Sequence, residues 1–195
     1  MNQAFVGIGS NIRPEYNVPR AIFELQASFG EVRASGIYES PAIGFDGPAF
    51  HNLVAVFRCD LEAKALIESL RTIERRCGRK RDPSQTGLRS RTVDIDLLLL
   101  GDHVQQGADG FELPHPDILE YPFVLAPLAE IAPDGRHPVI RRTFDDLWRE
   151  CEKRGSALMR RLERRSATNA CAPERPYHES KDLPFESSPP KRIAS

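Results

Sequence analysis

Two aspartates stand two residues apart in a short apolar segment, and carboxylates at this spacing are typical of metal chemistry. Asp94 and Asp96 lie in segment 93–100, whose composition predicts a strand of five to eight residues that ends at Gly101. Because side chains alternate along a strand, both carboxylates should share one face with Leu98. Two like charges at this spacing repel each other and lose hydration unless a cation compensates them. Mg²⁺ fits, because one or two carboxylates and substrate phosphates usually hold it.

A basic cluster accompanies the aspartates. Arg79, Lys80 and Arg81 lie one loop upstream of Arg91, which is close to the pair in sequence. Carboxylates for a metal beside several guanidiniums are what phosphoryl-type transfer needs, because positive charge stabilises the charge that develops on phosphate oxygens. The alternative is that the aspartates face solvent and pair with neighbouring arginines in an ordinary basic loop. The residue types leave both interpretations open.

Two other segments carry residues of chemical interest. Loop 41–48 is rich in glycine and proline but has Ile43 and Phe45 at its tip. These apolar residues suit a lid or the floor of a pocket for a flat ligand, or they tuck back onto the core. His115 stands between two prolines, which fix the backbone around it. On its own, a histidine in this setting is more often a turn residue than a ligand-binding residue.

Composition limits the classes of function. The 195 residues include 27 basic and 28 acidic side chains, so no net field favours nucleic acid or a membrane surface. The longest apolar run, residues 97–100, is far too short to span a bilayer, and the N-terminus lacks the features of a signal peptide. We expect a cytoplasmic monomer without nucleic-acid or membrane partners. Its scattered cysteines should be free thiols: Cys59, Cys77, Cys151 and Cys171.

Hydrophobic periodicity predicts the elements that position these residues. The predicted strands are 5–9, 32–40, 50–58 and 93–100. The predicted helices are 19–29 and 61–77, the second capped by Asp60. This βαββαβ order is the ferredoxin-like split βαβ pattern, so we expect an α+β fold with a ferredoxin-like core. A βαβ crossover would also let the last strand lie parallel beside the first.

Helical additions should follow the core. Segment 123–131 is apolar and helical in pattern, and Thr143 opens a capping-box-like sequence for a helix that should run to about Arg164. We therefore predict one domain over residues 1–164. The remainder, 165–195, is rich in Ser, Pro, Lys and Glu and has no periodicity. We expect this tail to be disordered and dispensable for catalysis.

Several short motifs, in one order along the chain, together resemble a known family. The signature stretch is Arg91-Thr-Val-Asp-Ile-Asp-Leu-Leu-Leu-Leu-Gly101. Its companions are Gly7-Ile-Gly-Ser-Asn11, Tyr38-Glu-Ser-Pro41, Phe50-His-Asn52, Ile73-Glu74, Gly78-Arg79-Lys-Arg81 and Leu113-Pro-His-Pro-Asp117. Each motif is weak alone, but the ordered set resembles 6-hydroxymethyl-7,8-dihydropterin pyrophosphokinase over roughly residues 5–148. The resemblance implies a ferredoxin-like fold and transfer of pyrophosphate from ATP to a reduced pterin, with release of AMP.

The resemblance also implies roles for the polar residues. By this likeness Asp94 and Asp96 bind two Mg²⁺ ions that bridge the phosphates of ATP. The basic catalytic residues would be Arg79, Arg81 and Arg91. Arg79 and Arg91 would also bind ATP, as would His115 and Glu74, although Glu74 is equally well explained as an exposed helix residue.

The likeness further implies a pterin site in which Asn52 reads the pterin edge and Phe123 stacks on the ring. Alone, a strand asparagine is usually a surface residue, and Phe123 could belong to the core. The pterin-binding residues implied are Ser40, Pro41, Ile43, Phe50, Asn52 and Phe123. The sequence departs from the family before Arg91, where Leu88, Arg89 and Ser90 replace a common tryptophan and Gly-Pro, and at Tyr121, where a basic residue is common.

Alternative functions remain open at this point. An Asp pair alone would also serve a Mg²⁺-dependent nucleotidyltransferase or nuclease. A catalytically silent ferredoxin-like module could bind RNA or a small regulator, although an RNA reader of that fold should have aromatic-rich strands and the Asp-bearing strand has none. A divergent, weakly active pterin-binding paralogue is the third alternative.

Overall fold

The computed structural model describes residues 1–79, 89–106, 111–154 and 160–162. Predictions for Arg81, for most of loop 79–91 and for the tail 165–195 lie outside these residues. The strands are β1 (Asn2–Ser10), β2 (Val32–Ala34), β3 (Ile37–Ser40), β4 (Phe50–Cys59), β5 (Asp94–Leu100), β6 (Gln105–Gln106), β7 (Glu112–Leu113) and β8 (Arg160–Leu162). The helices are α1 (Pro14–Phe29), α2 (Ala63–Arg76), α3 (Asp117–Glu120), α4 (Pro122–Ile131) and α5 (Phe144–Lys153).

The main sheet is antiparallel and has the order β5-β1-β4-β3-β8, with β2 also paired to β4. The predicted mixture of helices and strands is therefore confirmed. The expectation of a parallel last strand is wrong, because β1 lies between β4 and β5 and is antiparallel to both. Each helical crossover passes over one strand, so β4 and β5 run parallel to each other without being neighbours.

Helices cover both faces of the sheet. On one face, α1 and α2 contribute Val18, Leu25, Leu66 and Leu70 to the larger apolar cluster. On the other face, the additional C-terminal helices bury a second cluster around Leu98, Leu128 and Phe144. Because both faces are covered, β5 is buried at six of its seven positions and only Asp96 is exposed.

Two helix starts differ from the sequence prediction. Helix α1 begins at Pro14, five residues earlier than expected, because proline is well tolerated in the first turn, and Pro19 lies inside the helix. Helix α2 begins at Ala63 with Glu62 as N-cap and no capping side-chain bond. Asp60 does not cap it; its carboxylate instead lies 2.9 Å from the N-terminal amine.

The C-terminal part of the domain also differs. Thr143 caps α5 as predicted, its hydroxyl accepting a hydrogen bond from the Asp146 N–H at 3.1 Å. The helix ends at Lys153 rather than near Arg164, and residues 160–162 form β8 on the edge of β3. After β5, the short strands β6 and β7 pair with each other in antiparallel orientation. No helix in the described part of the chain is long and apolar enough to cross a membrane.

Glu130 on α4 forms hydrogen bonds with residues at the β3–β8 edge of the sheet. Its carboxylate accepts bonds from the Gly36 N–H at 3.1 Å, the Tyr38 hydroxyl at 3.0 Å and the Arg161 guanidinium at 2.7 Å. Burial alone would raise the pKa of Glu130, but the bonds from Arg161, Gly36 and Tyr38 outweigh it and lower the pKa. Burial and the Glu130 carboxylate raise the pKa of Tyr38 to about 12.

We expect Glu130→Gln to lower the melting temperature at pH 7, by about 2–4 °C for each kcal/mol lost. A carboxyl whose pKa is lowered by folding adds stability that is present above its unfolded pKa, about 4.3, and is lost as pH falls through the folded value. The difference from wild type should therefore shrink below about pH 4. Thermal melts between pH 3 and 8 test this, with Glu120→Gln, at an exposed position, as control; a pH-independent difference would contradict it.

Removal of residues 165–195 is expected to leave both turnover and melting temperature unchanged. Removal of residues 155–195 should have a larger effect, because it deletes β8 and Arg161, the partner of Glu130. This longer truncation should lower the melting temperature and expose the edge of β3. Melting curves and turnover of the two truncated proteins decide the point. A large loss in the shorter truncation would show that the tail docks on the domain.

Candidate active site

A cavity of about 350 Å³ opens where β1 ends and where β4 and β5 begin. The strand register places Asn52, Gly9 and Asp94 side by side across three strands, and Gly7 pairs with Asp96 one step along. Directly paired residues point to the same face. Glycines on β1 leave this face open, because a Cβ at Gly9 would lie 3.3 Å from Asn52 Oδ1.

Polar and aromatic side chains both line the cavity. The part around Arg91, Asp94 and Asp96 is called the polar end, and the part around the aromatic rings is called the aromatic end. Residues predicted for the site that line it are Ser40, Pro41, Ile43, Phe50, Asn52, Arg91, Asp94, Asp96 and Phe123. Phe45, proposed from sequence as part of a lid or pocket floor, lines it too. Residues not assigned to the site from sequence also line it: Gly7, Ile8, Gly9, Leu53, Val54, Leu98, Asp117, Tyr121 and Val124. The strand alternation is confirmed, since Asp94, Asp96 and Leu98 all reach the cavity while Ile95 and Leu97 pack in the α1–α2 cluster.

Asp94 is held by two arginines at the polar end. Arg79 contacts its Oδ1 and Arg91 contacts its Oδ2. Arg79 also donates to Glu74 Oε1 at 2.5 Å. Its guanidinium therefore bridges two carboxylates, which fixes its orientation.

Glu74 is buried behind this pair and is only 1% exposed. Its Oε1 accepts a bond from the Ile95 N–H at 2.9 Å in addition to the bond from Arg79. The alternative of an exposed helix glutamate is therefore wrong. Glu74 does not line the cavity; it anchors Arg79 against β5 from the α2 side.

Asp96 is exposed at the cavity, unlike Asp94. The protein nevertheless removes enough water from the carboxyl to raise the pKa of Asp96, and repulsion from Glu74 and Asp117 adds to this while His115 and Arg79 oppose it. His115 lies nearby without lining the cavity. Its backbone N–H donates to Leu98 O at 2.9 Å, and its Nδ1 accepts a bond from the Asp117 N–H at 3.3 Å.

Four aromatic rings and one amide form the other end. Phe45 meets Phe50 edge to face with centroids 6.2 Å apart, and Tyr121 stacks on Phe123 with centroids 5.0 Å apart. Asn52 is 7% exposed, and its Nδ2 donates to Ser40 Oγ at 2.9 Å. The Arg91 guanidinium lies 5.8 Å from the Phe50 ring centre, so it reaches from the aromatic end to Asp94.

The donor set is compatible with a hard cation. Asp94, Asp96 and Asp117 line the cavity, and carboxylate oxygens are the ligands that Mg²⁺ prefers. Within the described residues, no three His, Cys, Asp or Glu side chains are placed to hold a metal. Phosphate oxygens of a substrate would therefore have to complete the coordination.

Some cavity residues carry a signal in the sequence and others do not. The apolar tip of loop 41–48 indicates Phe45, and the glycine pair of β1 indicates a close approach. Tyr121 and Asp117 were missed, because an aromatic or acidic residue next to a helix start is ordinary. Their position at the cavity becomes clear only in the structure, where residues of α3 and α4 share an apolar cluster with Val54 and Leu98.

A cavity lined by aromatic rings, a carboxylate pair and arginine suits an enzyme that transfers a phosphate-containing group to a small molecule. A protein-family profile described as 7,8-dihydro-6-hydroxymethylpterin-pyrophosphokinase (HPPK) matches residues 5–133. The chain belongs to this family.

Relatives and solved structures agree with the assignment. The chain is 40% identical over 147 residues to a 2-amino-4-hydroxy-6-hydroxymethyldihydropteridine pyrophosphokinase of Synechocystis, covering 74% of this chain and 73% of the relative. It is 35% identical to the Pseudomonas aeruginosa protein of that name, covering 71% and 85%. A crystal structure of an HPPK-DHPS in complex with substrates shares the fold with a TM-score of 0.62 at 14% identity, covering 83% of this chain. The chain spans about half of that protein (47%).

Proposed function

We propose that this protein transfers pyrophosphate from ATP to the hydroxymethyl group of 6-hydroxymethyl-7,8-dihydropterin and releases AMP, a step of folate biosynthesis. One observation carries the proposal for the site. A single cavity joins an aromatic pocket with an amide to two carboxylates flanked by arginines. The first part suits a flat heterocycle, and the second suits polyphosphate.

The pterin would lie at the aromatic end. Phe123 and Phe50 offer ring faces, and stacking of this kind contributes about 0.5–1.5 kcal/mol beyond burial. Asn52 offers an amide with both donor and acceptor atoms, oriented by its bond to Ser40. Pro41 and Ile43 would complete the apolar wall. Phe45 and Tyr121 supply aromatic surface that compensates for the tryptophan common in the family.

The triphosphate would lie at the polar end. Asp94 and Asp96 would hold two Mg²⁺ ions, whose charge would neutralise the phosphate oxygens during transfer. Arg79 and Arg91, with Arg81, would donate forked hydrogen bonds to those oxygens. His115 would contact ATP from the α3 side. A second cavity lined by Glu68, Arg71, Glu74, Arg75 and Arg79 adjoins this end and offers further basic surface to the nucleotide.

The ferredoxin-like assignment belongs to the same proposal. The order β5-β1-β4-β3 with two helical crossovers on one face supports it. The monomeric state, the cytoplasmic location and the domain limit at residue 164 stay predictions. The nucleotidyltransferase alternative is less well supported, because the chain has 27 basic and 28 acidic side chains and therefore no net positive field for a nucleic-acid chain.

The test is the appearance of AMP when purified protein is mixed with Mg-ATP and 6-hydroxymethyl-7,8-dihydropterin. Equal amounts of AMP and pterin pyrophosphate are expected. A pterin that lacks the hydroxymethyl oxygen is the control and should give no AMP. Release of ADP, or AMP formation that is independent of the pterin hydroxyl, would contradict the proposal.

A further inference from the structure

Asn11 lies just behind the cavity and connects two of its walls. It follows β1, is 3% exposed and does not line the cavity. Its Nδ2 donates to Pro48 O at 3.2 Å and to Ser90 Oγ at 3.1 Å, and its Oδ1 accepts from the Arg91 N–H at 2.8 Å. Both amide hydrogens and one side of the oxygen are therefore used, which an ordinary surface asparagine does not achieve.

The two connected segments carry the two chemical ends of the site. Pro48 ends the loop that bears Ile43 and Phe45, the apolar wall of the aromatic end. Ser90 and Arg91 precede β5, and the Arg91 side chain reaches Asp94. Asn11 thus links the wall of the proposed pterin pocket to a residue of the proposed phosphate site.

The backbone around Asn11 reinforces the link. The N–H groups of Asn11 and Ile12 both donate to Arg91 O, at 3.2 and 3.3 Å, and Ser10 Oγ donates to Thr92 O at 2.6 Å. The N–H and C=O of Arg91 are therefore both held from residues 11 and 12. These bonds fix the backbone of Arg91, so a change in conformation there should involve mainly its side chain.

The loop side of the junction is closely packed as well. A Cβ at Gly47 would lie 2.5 Å from the Phe45 ring and 3.3 Å from Ser90 Oγ. Gly47 therefore lets the Phe45 ring fold back over the loop beside Ser90. This packing brings the aromatic wall and the Arg91 segment to one point, and Asn11 joins them there.

We propose that Asn11 is a positioning residue that fixes the separation between the pterin wall and Arg91. The inference rests on the proposed function. Transfer requires the pterin hydroxyl and the attacked phosphorus to meet at the correct distance, and each substrate is held by one of the two segments. A shift of about 1 Å between reacting groups can cost about 10²-fold in rate. Asn11 touches neither substrate and acts through Pro48, Ser90 and Arg91.

Asn11→Ala is expected to lower kcat by about 10–100-fold, while the KM values for ATP and pterin change by less than about threefold, since the groups that bind each substrate remain. Ser35→Ala is the matched control. Ser35 is also buried, and its hydroxyl also joins two segments, accepting from the Val54 N–H at 3.0 Å and donating to Gly36 O at 2.8 Å. Ser35 itself does not line the cavity, and its hydroxyl bonds reach neither segment 41–49 nor segment 89–93, so its loss should cost stability and leave kcat unchanged.

Amide hydrogen exchange provides a readout that needs no turnover. Exchange should rise in both segments 41–49 and 89–93 in Asn11→Ala, and in neither segment in Ser35→Ala. If Asn11→Ala does not fold, Asn11→Asp replaces it. This variant keeps an acceptor for the Arg91 N–H and loses the donors to Pro48 O and Ser90 Oγ. The Ser90 hydroxyl can instead donate to the new carboxylate, so exchange should rise mainly in segment 41–49, with a loss of kcat.

The outcomes separate the two proposals. Absence of AMP formation by the wild type would overturn the proposed function. The exchange data would still test whether Asn11 connects the two segments. If Asn11→Ala and Ser35→Ala had the same melting temperature and the same kcat, the positioning role of Asn11 would be overturned. Exchange that rises in neither segment of Asn11→Ala would show that Asn11 does not connect them.

Discussion

Asp96→Ala is expected to reduce pyrophosphate transfer to background, and Asp94→Ala is expected to do the same. Both carboxylates line the cavity at its polar end, where we propose that they bind Mg²⁺. ATP would bring several negative charges to this end. Without the cation, Arg79 and Arg91 cannot balance both the phosphates and the aspartate that remains in the variant. Loss of either ligand should therefore remove the charge neutralisation on which transfer depends.

The two variants should differ in stability. The sequence predicts a repelling pair whose removal leaves the fold intact. We keep this expectation for Asp96, which is exposed and whose pKa is raised by desolvation. We expect a different result for Asp94, because its two oxygens contact Arg79 and Arg91. Removal of one partner of such a half-buried network is destabilising, because guanidiniums lose their compensating charge.

We therefore expect Asp94→Ala to melt below wild type and Asp96→Ala to melt at or above it in the absence of Mg²⁺. The measurements are AMP formation at saturating Mg-ATP and thermal melts of the metal-free proteins. Asp102→Ala is the control, because Asp102 is exposed just beyond the other end of β5. Near-normal turnover by either Asp94→Ala or Asp96→Ala at saturating Mg²⁺ would overturn the metal assignment.

The predictable part of the site depends on local pattern. Alternation along β5 is a property of the backbone, so the sequence alone assigns Asp94, Asp96 and Leu98 to one face. The two glycines of β1 and the loop before Phe50 are equally local features. These elements together form the floor of the cavity, and their order along the chain is enough to place them in one sheet.

The remaining part depends on partners distant in sequence. The helical pattern around Glu74 is compatible with a surface position, and its burial follows from bonds to Arg79 and to the Ile95 N–H, 21 residues away. The Asn11 bond to the Arg91 N–H spans 80 residues. The sequence predicts helix where β8 lies, because a three-residue strand has no period of its own and gains its bonds only from β3. Such contacts have no signature in the residues that make them.

Arg91→Ala is expected to lower the rate of transfer by about 10²–10³-fold, the usual cost of removing one donor that stabilises developing charge. The Arg91 guanidinium contacts Asp94 Oδ2 and lies 5.8 Å from the centre of the Phe50 ring. When Mg²⁺ and ATP occupy the polar end, the metal would take over Asp94 and the guanidinium would become available to phosphate oxygens. Its main contribution should then appear in the transition state.

Pterin affinity should change much less. The contact of Arg91 with the Phe50 ring is a cation–π interaction, which is worth about 0.5–1 kcal/mol at accessible sites. A loss of that size weakens binding by about fivefold at most. The expected pattern for Arg91→Ala is therefore a large fall in kcat with a small rise in the dissociation constant of the pterin. Arg58→Ala, at an exposed position of β4, is the control and should change neither.

Arg91→Lys distinguishes a forked donor from a simple positive charge. Lysine keeps the charge, but its ammonium cannot donate two parallel bonds to a phosphate, so it should restore only part of the lost rate. Single-turnover kinetics with saturating Mg-ATP and pterin separate the chemical step from binding and product release. If both variants bound pterin poorly but turned over normally once saturated, Arg91 would be a binding residue. Full recovery in Arg91→Lys would show that charge alone is required, and the bidentate role would be wrong.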